Sequence, residues 1–549
     1  MSSDNGFNLL DEPWIVALGP EGQEVELSIL GVLEQAPGLI TMGGEVPTQG
    51  FAITRLLLAF LHRAVDGPED QQEWADLWHA SALPIDRIRR YADQVRHRFD
   101  LFDADVPFFQ VPRLRTANGE ASGLEKIVAD VPNGAALFTT RSAASLASIS
   151  SAEAARWLVH VHAFDPSGIK SGAVGDPKVK NGKGYPIGTG WSGQIGGVLA
   201  EGNNLRETLL LNLVARDVEA YVRIGGPGDL PPWEREIDGP AGLEDRPPGG
   251  AIDLYTWQTR RVWLKGDRWG VTGVVLANGD KIQPQNRHQL DPHTAWRFSE
   301  PQTKKLKRPT YMPRGHAPER SVWRGLEALL PSLSGRRARH DEPSPFLAPG
   351  VLQWLGELSA AGILPASHVV RTRAIGAVYG TQSATYDEIV DDRLTLAIAL
   401  LREDSPALGR LAEAGVEDAE RTAAALWQLA ENVAQAGGAA PKSGAGERAR
   451  EQLYAALESP YRAWLASLDA ATDTAAARAA WQSTVYGLAR PIAAVVVESA
   501  GPTAWIGREI HGRLVNVAQA EAWFSARVRS ILGLALGPTT NRSEEEVAS

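Results

Sequence analysis

Twenty-nine of the hundred residues from 401 to 500 are alanine, and alanine is the strongest helix former. This stretch constrains the fold more than any other feature of the chain. Apolar residues within it recur at spacings of three and four: Leu453, Leu457, Tyr461, Trp464 and Leu468, then Trp481, Val485, Leu488, Ile492 and Val496. That is the period of an amphipathic helix. A last helix is expected to carry Leu514, Val517, Trp523, Val528, Ile531 and Leu532, and the pattern is broken at Gly437-Gly438, Pro441, Pro502 and Gly537-Pro538. Successive amphipathic helices joined by short loops cannot bury their stripes singly, so a helical bundle is expected. With no Glu-x-x-His pair at helical spacing, no bundle cofactor is expected, and the Trp and Tyr stripe reads as core.

The chain has a different character before residue 385. Apolar runs there are short, and turn signals such as Gly225-Gly226-Pro227-Gly228 and Pro247-Pro248-Gly249-Gly250 separate them. Helices are expected at about 49–64, 71–81, 84–97, 151–162 and 205–214. The fold class is therefore α+β. A mixed α/β domain is expected over 1–385, an all-α domain over 386–538, and a disordered tail over 539–549, where Glu544-Glu545-Glu546 sits.

The 549 residues contain no cysteine. That removes disulfides, thiolate metal sites and a cysteine nucleophile from consideration. No run reaches the ~18 apolar residues of a membrane span, and the short polar start carries no signal-peptide pattern. A soluble cytoplasmic protein is expected. The net charge is −11, but it is unevenly placed. Residues 281–340 carry thirteen Lys and Arg against four acids, near +9, which leaves the rest near −20. Phosphate binding depends on where charge sits, so this asymmetry points to nucleic acid or to an acidic protein partner.

Two segments invite chemistry. His160, His162 and Asp165 offer two imidazoles and a carboxylate, the ligands of a metal-dependent hydrolase. However, residues two apart project to different faces of a helix, and no second His/Asp cluster is evident. The segment Gly182-Lys183-Gly184-Tyr185-Pro186-Ile187-Gly188-Thr189-Gly190 lacks the closing Gly-Lys-Ser/Thr of a phosphate-binding Walker loop. It reads either as a tight structural loop or as backbone that approaches a phosphate chain or a base edge. No nucleophile motif stands out. The residues favour a binding or assembly protein over an enzyme.

Four segments together carry a family resemblance. Phe7-Asn8-Leu9-Leu10-Asp11-Glu12-Pro13-Trp14-Ile15-Val16 resembles the N-terminal signature of the CasA large subunit of the type I-E CRISPR Cascade complex. Gly172 to Asn212 resembles that family's central block, and Ile375 to Arg393 and the helical C-terminus also fit. The resemblance implies a large mixed N-terminal domain and a C-terminal four-helix bundle. It implies a non-catalytic subunit, without cofactor or metal, of an RNA-guided surveillance complex. Such a subunit reads the protospacer-adjacent motif (PAM) on double-stranded DNA, helps to start unwinding, and docks the nuclease-helicase. Its expected partners are target DNA, the other Cascade subunits with CRISPR RNA, and that nuclease-helicase, with no membrane.

The resemblance also implies sites. The family wedge, a short hairpin with glutamine at its tip, corresponds to Tyr379-Gly380-Thr381-Gln382-Ser383-Ala384, with Gln382 at the tip flanked by Thr381 and Ser383. An ordinary turn would equally favour Gly380. The family's minor-groove glycine loop falls within Gly182, Gly184, Gly188 and Gly190, and its lysine finger corresponds to Lys281. A loop that contacts the complex near the 5′ end of the guide corresponds to Asn133 to Phe138, with Phe138 as its aromatic. Some relatives carry a cysteine-rich zinc-ribbon insertion, which a cysteine-free chain is not expected to form.

Overall fold

The structure, a computed structural model, describes residues 6–131, 139, 141–142, 146–218, 221–244, 246–334, 343–510 and 512–536. The chain forms two compact units. The first comprises Met1–Val322, Ala328–Pro365 and Val370–Leu394; the second comprises Trp323–Glu327, Ala366–Val369 and Thr395–Ser549.

In the first unit, strands β1 (Ile15–Leu18) and β2 (Glu24–Leu27) pair antiparallel, and helix α1 (Ile29–Gln35) starts where the Ser28 side chain accepts from the Gly31 amide. Strand β3 (Thr41–Met42) completes a sheet of order β2-β1-β3. Helix α2 (Pro47–Val65) opens on a proline, which suits a first helical turn, and is buried on almost every side. Around it come α3 (Gln71–His79), α4 (Ile85–Val95) and α5 (Ser151–Phe164). Asp70 and Ser150 cap α3 and α5 by accepting from the amides of Glu73 and Glu153. These four helices lie within two residues of the expected ends.

The chain then forms β4 (Lys170–Ser171), β5 (Lys183–Gly184), α6 (Trp191–Ile195), β6 (Gly197–Glu201) and α7 (Leu205–Leu211). Helix α7 ends earlier than the expected 214. Asn212 turns back, with its Nδ2 donating to the carbonyls of Ala200 and Thr208, both at 2.7 Å. Next come α8 (Ala251–Tyr255) and the long hairpin of β7 (Arg260–Asp267) and β8 (Gly270–Asn278). Strands β9 (Trp296–Phe298), β10 (Tyr311–Pro313) and β11 (Phe346–Leu347) form a second three-stranded sheet, with helices α9 (Glu300–Leu306) and α10 (Pro331–Ser334) between its strands and α11 (Gly350–Ala360) after it. Strands β12 (Val369–Tyr379) and β13 (Tyr386–Ala397) lie in a third sheet of order β13-β12-β6.

The stretch directly after residue 385 is therefore a strand, and the helical pattern begins only at Pro406. The residues from Tyr386 pair with β12 before any apolar stripe at helical spacing can start.

A buried ion pair fixes the middle of α2. Arg55 donates from Nη2 to Asp291 Oδ2 at 2.7 Å and from Nη1 to Oδ1 at 3.1 Å, and Trp191 Nε1 donates to the same Oδ2 at 2.8 Å. Both charged side chains are 1% exposed or less. Asp291→Ala would leave the Arg55 charge buried and unpaired, so a loss of about 3–5 kcal/mol is expected in urea unfolding of the purified chain.

The second unit contains α12 (Pro406–Ala436), α13 (Ala445–Ala466), α14 (Thr474–Glu498), α15 (Pro502–Ile506), the hairpin β14 (Arg508–Ile510) and β15 (Arg513–Val515), α16 (Val517–Ile531) and α17 (Gly533–Leu536). Helix α12 packs against α13, α14 and α16. The aromatic stripe is core. Tyr461 stacks on Trp323 at 4.4 Å between ring centroids, Trp464 stacks on Trp481 at 5.2 Å, and Trp481 Nε1 donates to the Gly415 carbonyl at 2.9 Å. Two residues of the expected last stripe differ: Leu514 lies in β15 and Trp523 is exposed, while Phe524 is buried on α16.

Candidate nucleic-acid interface

The wedge segment is the tip of the β12–β13 hairpin in the first unit. The turn is closed by the Ser383 amide on the Gly380 carbonyl (2.8 Å) and the Gly380 amide on the Thr385 carbonyl (3.1 Å). Gln382 and Ser383 have φ of 57° and 55°, a left-handed conformation that L side chains rarely adopt. Thr381 and Gln382 are exposed and Ser383 is half-buried. The tip therefore presents an amide with two donors and an acceptor to solvent.

The glycine segment divides into accessible and packed positions. Gly182 lies in the exposed turn between β4 and β5, and Gly188 sits half-buried at φ 115°, a conformation that glycine alone adopts easily. Gly184 and Gly190 are buried. A Cβ on Gly190 would overlap the Ala163 carbonyl, and one on Gly184 would press on Asn278 Nδ2 at 3.0 Å. Internal packing thus accounts for Gly184 and Gly190, while Gly182 and Gly188 remain on the accessible side.

Lys281 is joined to the loop at Leu243 by its backbone and, through the nearby Asn278 side chain, to the glycine segment. Its amide donates to the Leu243 carbonyl (2.8 Å), and Asn278 Nδ2 donates to the Tyr185 carbonyl (2.6 Å). The preceding residue, Asp280, is fully buried; it accepts from Arg261 Nη2 at 2.6 Å and Arg246 Nε at 2.9 Å. Lys178 Nζ donates to the Gly242 carbonyl (2.9 Å), which ties the β4–β5 hairpin to the same loop.

Asp165 lies between the glycine segment and the wedge. It accepts from Arg260 Nε at 2.5 Å and pairs with Lys170 Nζ at 2.6 Å. Arg260 Nη2 also donates to the carbonyls of Pro166 and Gly188 at 3.1 and 2.8 Å. His160 hydrogen bonds instead with Thr48 Oγ1, and His162 with the Phe109 carbonyl, each at 2.9 Å. Burial lowers the His160 pKa to about 3 and that of His162 to about 4, so both rings are neutral. The three residues proposed as hydrolase ligands face three different sets of partners. Among the described residues no group of three His, Cys, Asp or Glu side chains is placed to hold a metal ion.

Other residues extend the site beyond those picked out from sequence. Lys180 and Lys183 flank the Gly182 turn and are exposed, and Tyr185 is 53% exposed. An open groove is lined by Gln283, Gln285, Asn286, Arg287, Lys305 and Arg308. The basic count pointed to its cations, but amides interleaved at irregular spacing gave no signal. Phe138 and the loop from Asn133 lie outside the described residues. No described helix is long and apolar enough to cross a membrane.

The model of the family described as CRISPR-associated protein Cse1 matches residues 8–492. This chain belongs to the CasA/Cse1 family. It is similar to the CRISPR-associated protein CasA/Cse1 of Thermus thermophilus, with 31% identity over 347 residues; the match spans 62% of this chain and 63% of that protein's length. Among solved structures, Thermobifida fusca Cse1 is 45% identical with a TM-score of 0.88, covering 97% of this chain and 99% of its own. Cse1 from Acidimicrobium ferrooxidans is 31% identical with a TM-score of 0.81 and the same coverage. A chain from a CRISPR RNA-guided surveillance complex, 20% identical and with a TM-score of 0.67 over 90% of this chain, shares the Cse1 fold.

Proposed function

We propose that this Cse1-family chain is the non-catalytic large subunit of a type I-E Cascade complex. It reads the PAM on double-stranded DNA, starts strand separation with Gln382, and recruits the nuclease-helicase that degrades the target. Guide pairing then reads the remaining sequence. The helical second unit corresponds in this reading to the family's four-helix bundle. The other Cascade subunits and the CRISPR RNA are its partners, with Phe138 in the loop that meets the guide.

The observation that carries the reading is convergence. Segments around residues 165, 188, 243, 281 and 382, far apart in sequence, are joined by direct hydrogen bonds or through α5 in one unit. The result combines an exposed glycine turn flanked by lysines, a lysine loop, and a hairpin with a polar tip. Close backbone approach suits a narrow minor groove, whose donor and acceptor pattern is degenerate. An amide at a hairpin tip can fill the space of a separated base pair and still hydrogen bond to base edges.

The test is gel-shift binding of short duplexes with varied PAMs to guide-loaded complex, assembled with and without this protein. PAM-dependent binding should appear only when the protein is present. Equal binding in both samples would remove the PAM-reading role. Two lysines should then behave differently. Lys305→Ala should weaken all duplexes alike and reduce the slope of log affinity against log salt by about one. Lys281→Ala should weaken the preferred PAM more than the others, because it acts at the groove rather than along the phosphates.

A further inference from the structure

The base of the wedge hairpin is held by an unusual pair of hydrogen bonds. Tyr379, the last residue of β12, and Tyr386, the first of β13, both donate their hydroxyls to the carbonyl of Phe164, at 2.5 and 2.8 Å. That carbonyl is available because Phe164 ends α5, and the last carbonyls of a helix have no partner within it. The partial negative charge at a helix C-terminus strengthens both bonds. The two rings lie 5.3 Å apart. Burial raises both phenols well above their ordinary pKa, so they remain donors.

Beyond the two hydrogen bonds, the hairpin base meets a close contact on one side and open space on the other. On one side Tyr379 fits against Gly193, where any Cβ would overlap its hydroxyl. On the other side the hairpin borders a cavity of about 190 Å³, lined by Thr385, Tyr386 and Asp387 together with His160, Asp165 and Lys170. Open space provides no packing resistance to a tilt. Phe164 is also one residue from Asp165, whose carbonyl accepts from the Gly190 amide at 3.0 Å and whose carboxylate accepts from Arg260, which in turn holds the Gly188 carbonyl. One helix end therefore grips both the wedge and the glycine segment.

We propose that Tyr379 and Tyr386 are positioning residues, which lock the wedge hairpin to the C-terminal end of α5 and so fix where Gln382 stands relative to the glycine segment. This rests on the reading of Gln382 as the wedge. The hydroxyl pair acts on strand opening and leaves initial PAM contact alone, because it contacts the hairpin base and not the groove-facing turn at Gly182.

The experiment uses guide-loaded complex containing the full chain and a PAM-bearing duplex with 2-aminopurine at the first protospacer position. The Tyr379→Phe/Tyr386→Phe double variant keeps both rings and removes both hydroxyls. Its PAM-duplex affinity should stay within about twofold of wild type, while base unstacking slows about tenfold. If the double variant does not fold, the singles serve, each slowing opening about threefold. Opening at wild-type speed in the Phe variants, with Gln382→Ala slow, would overturn the positioning role and leave the wedge intact. Parallel loss of affinity and opening would show a general structural role and overturn it too. Wild-type opening in Gln382→Ala as well would mean that the wedge reading itself had failed, and the positioning role with it.

Discussion

Gln382→Gly is expected to make the protein slightly more stable and at the same time to slow target-strand opening by tenfold or more. The two effects have separate origins. Gln382 has φ 57° and is followed by Ser383 at φ 55°, so the turn holds two consecutive non-glycine residues in the left-handed region. Such a residue costs about 1–2 kcal/mol over its relaxed backbone. Glycine removes that cost but adds freedom to the unfolded chain, so the net gain is about 0.5–1 kcal/mol. The same substitution deletes the amide that is proposed to occupy the opened duplex. Gln382→Ala also loses the amide but keeps the strained backbone, and should show the opening defect without the gain. Melting temperature and opening rate measured on wild type and both variants check this. A Gly variant that opens duplexes as fast as wild type would mean that the side chain does nothing at the tip, whatever the melting temperatures show.

Acid is expected to unfold the first unit steeply. His62, His160, His162 and His293 are enclosed, and burial lowers their pKa values to about 4, 3, 4 and 3. In the unfolded chain each would titrate near its ordinary 6.5. Between those values the unfolded state binds the extra protons, so stability is unaffected above pH 6.5 and falls as pH drops toward 4. Asp229 opposes this: burial raises its carboxyl to about 6, so below that pH the folded state takes up a proton there first. Four imidazoles less one carboxyl give a loss of roughly 4 kcal/mol per pH unit at the steepest, and about 5 kcal/mol between pH 6.5 and 5. That is comparable to the whole stability of many domains, about 5–15 kcal/mol. Urea midpoints followed by tryptophan fluorescence at pH 7, 6 and 5 test the expectation. A midpoint unchanged across that range would show that these rings are not held neutral by the fold.

The helices of the first unit were legible because the signals that form a helix are local in sequence. The strand from Tyr386 was not, because its pairing with β12 competes with the helical pattern that follows only from Pro406. Trp523 illustrates a second limit: a stripe read at helical spacing does not say which of two adjacent aromatics turns inward, and Phe524 does. Among the site residues, the glycine cluster stood out but its division did not. The packing of Gly190 against Ala163 depends on a helix that ends twenty-six residues earlier. The cluster at 160–165 drew notice for metal-ligand chemistry, whereas Asp165 is a partner of Arg260, ninety-five residues away. No local spacing encodes such a pair.

Several joints of the proposed interface have one property in common. Tyr379 and Tyr386 hold the Phe164 carbonyl, Arg260 the Pro166 and Gly188 carbonyls, Asn278 that of Tyr185, Lys178 that of Gly242, and the Lys281 amide that of Leu243. In each of these the acceptor is main chain, while the carboxylates of Asp165 and Asp280 complete the frame as side-chain acceptors. Residues at Tyr185, Lys183 or Gln382 can then be exchanged while the frame keeps its shape. If the chain reads a DNA motif as proposed, a reader built this way is evolvable: its preference can drift, or be redesigned, one exposed position at a time, without a compensating change underneath.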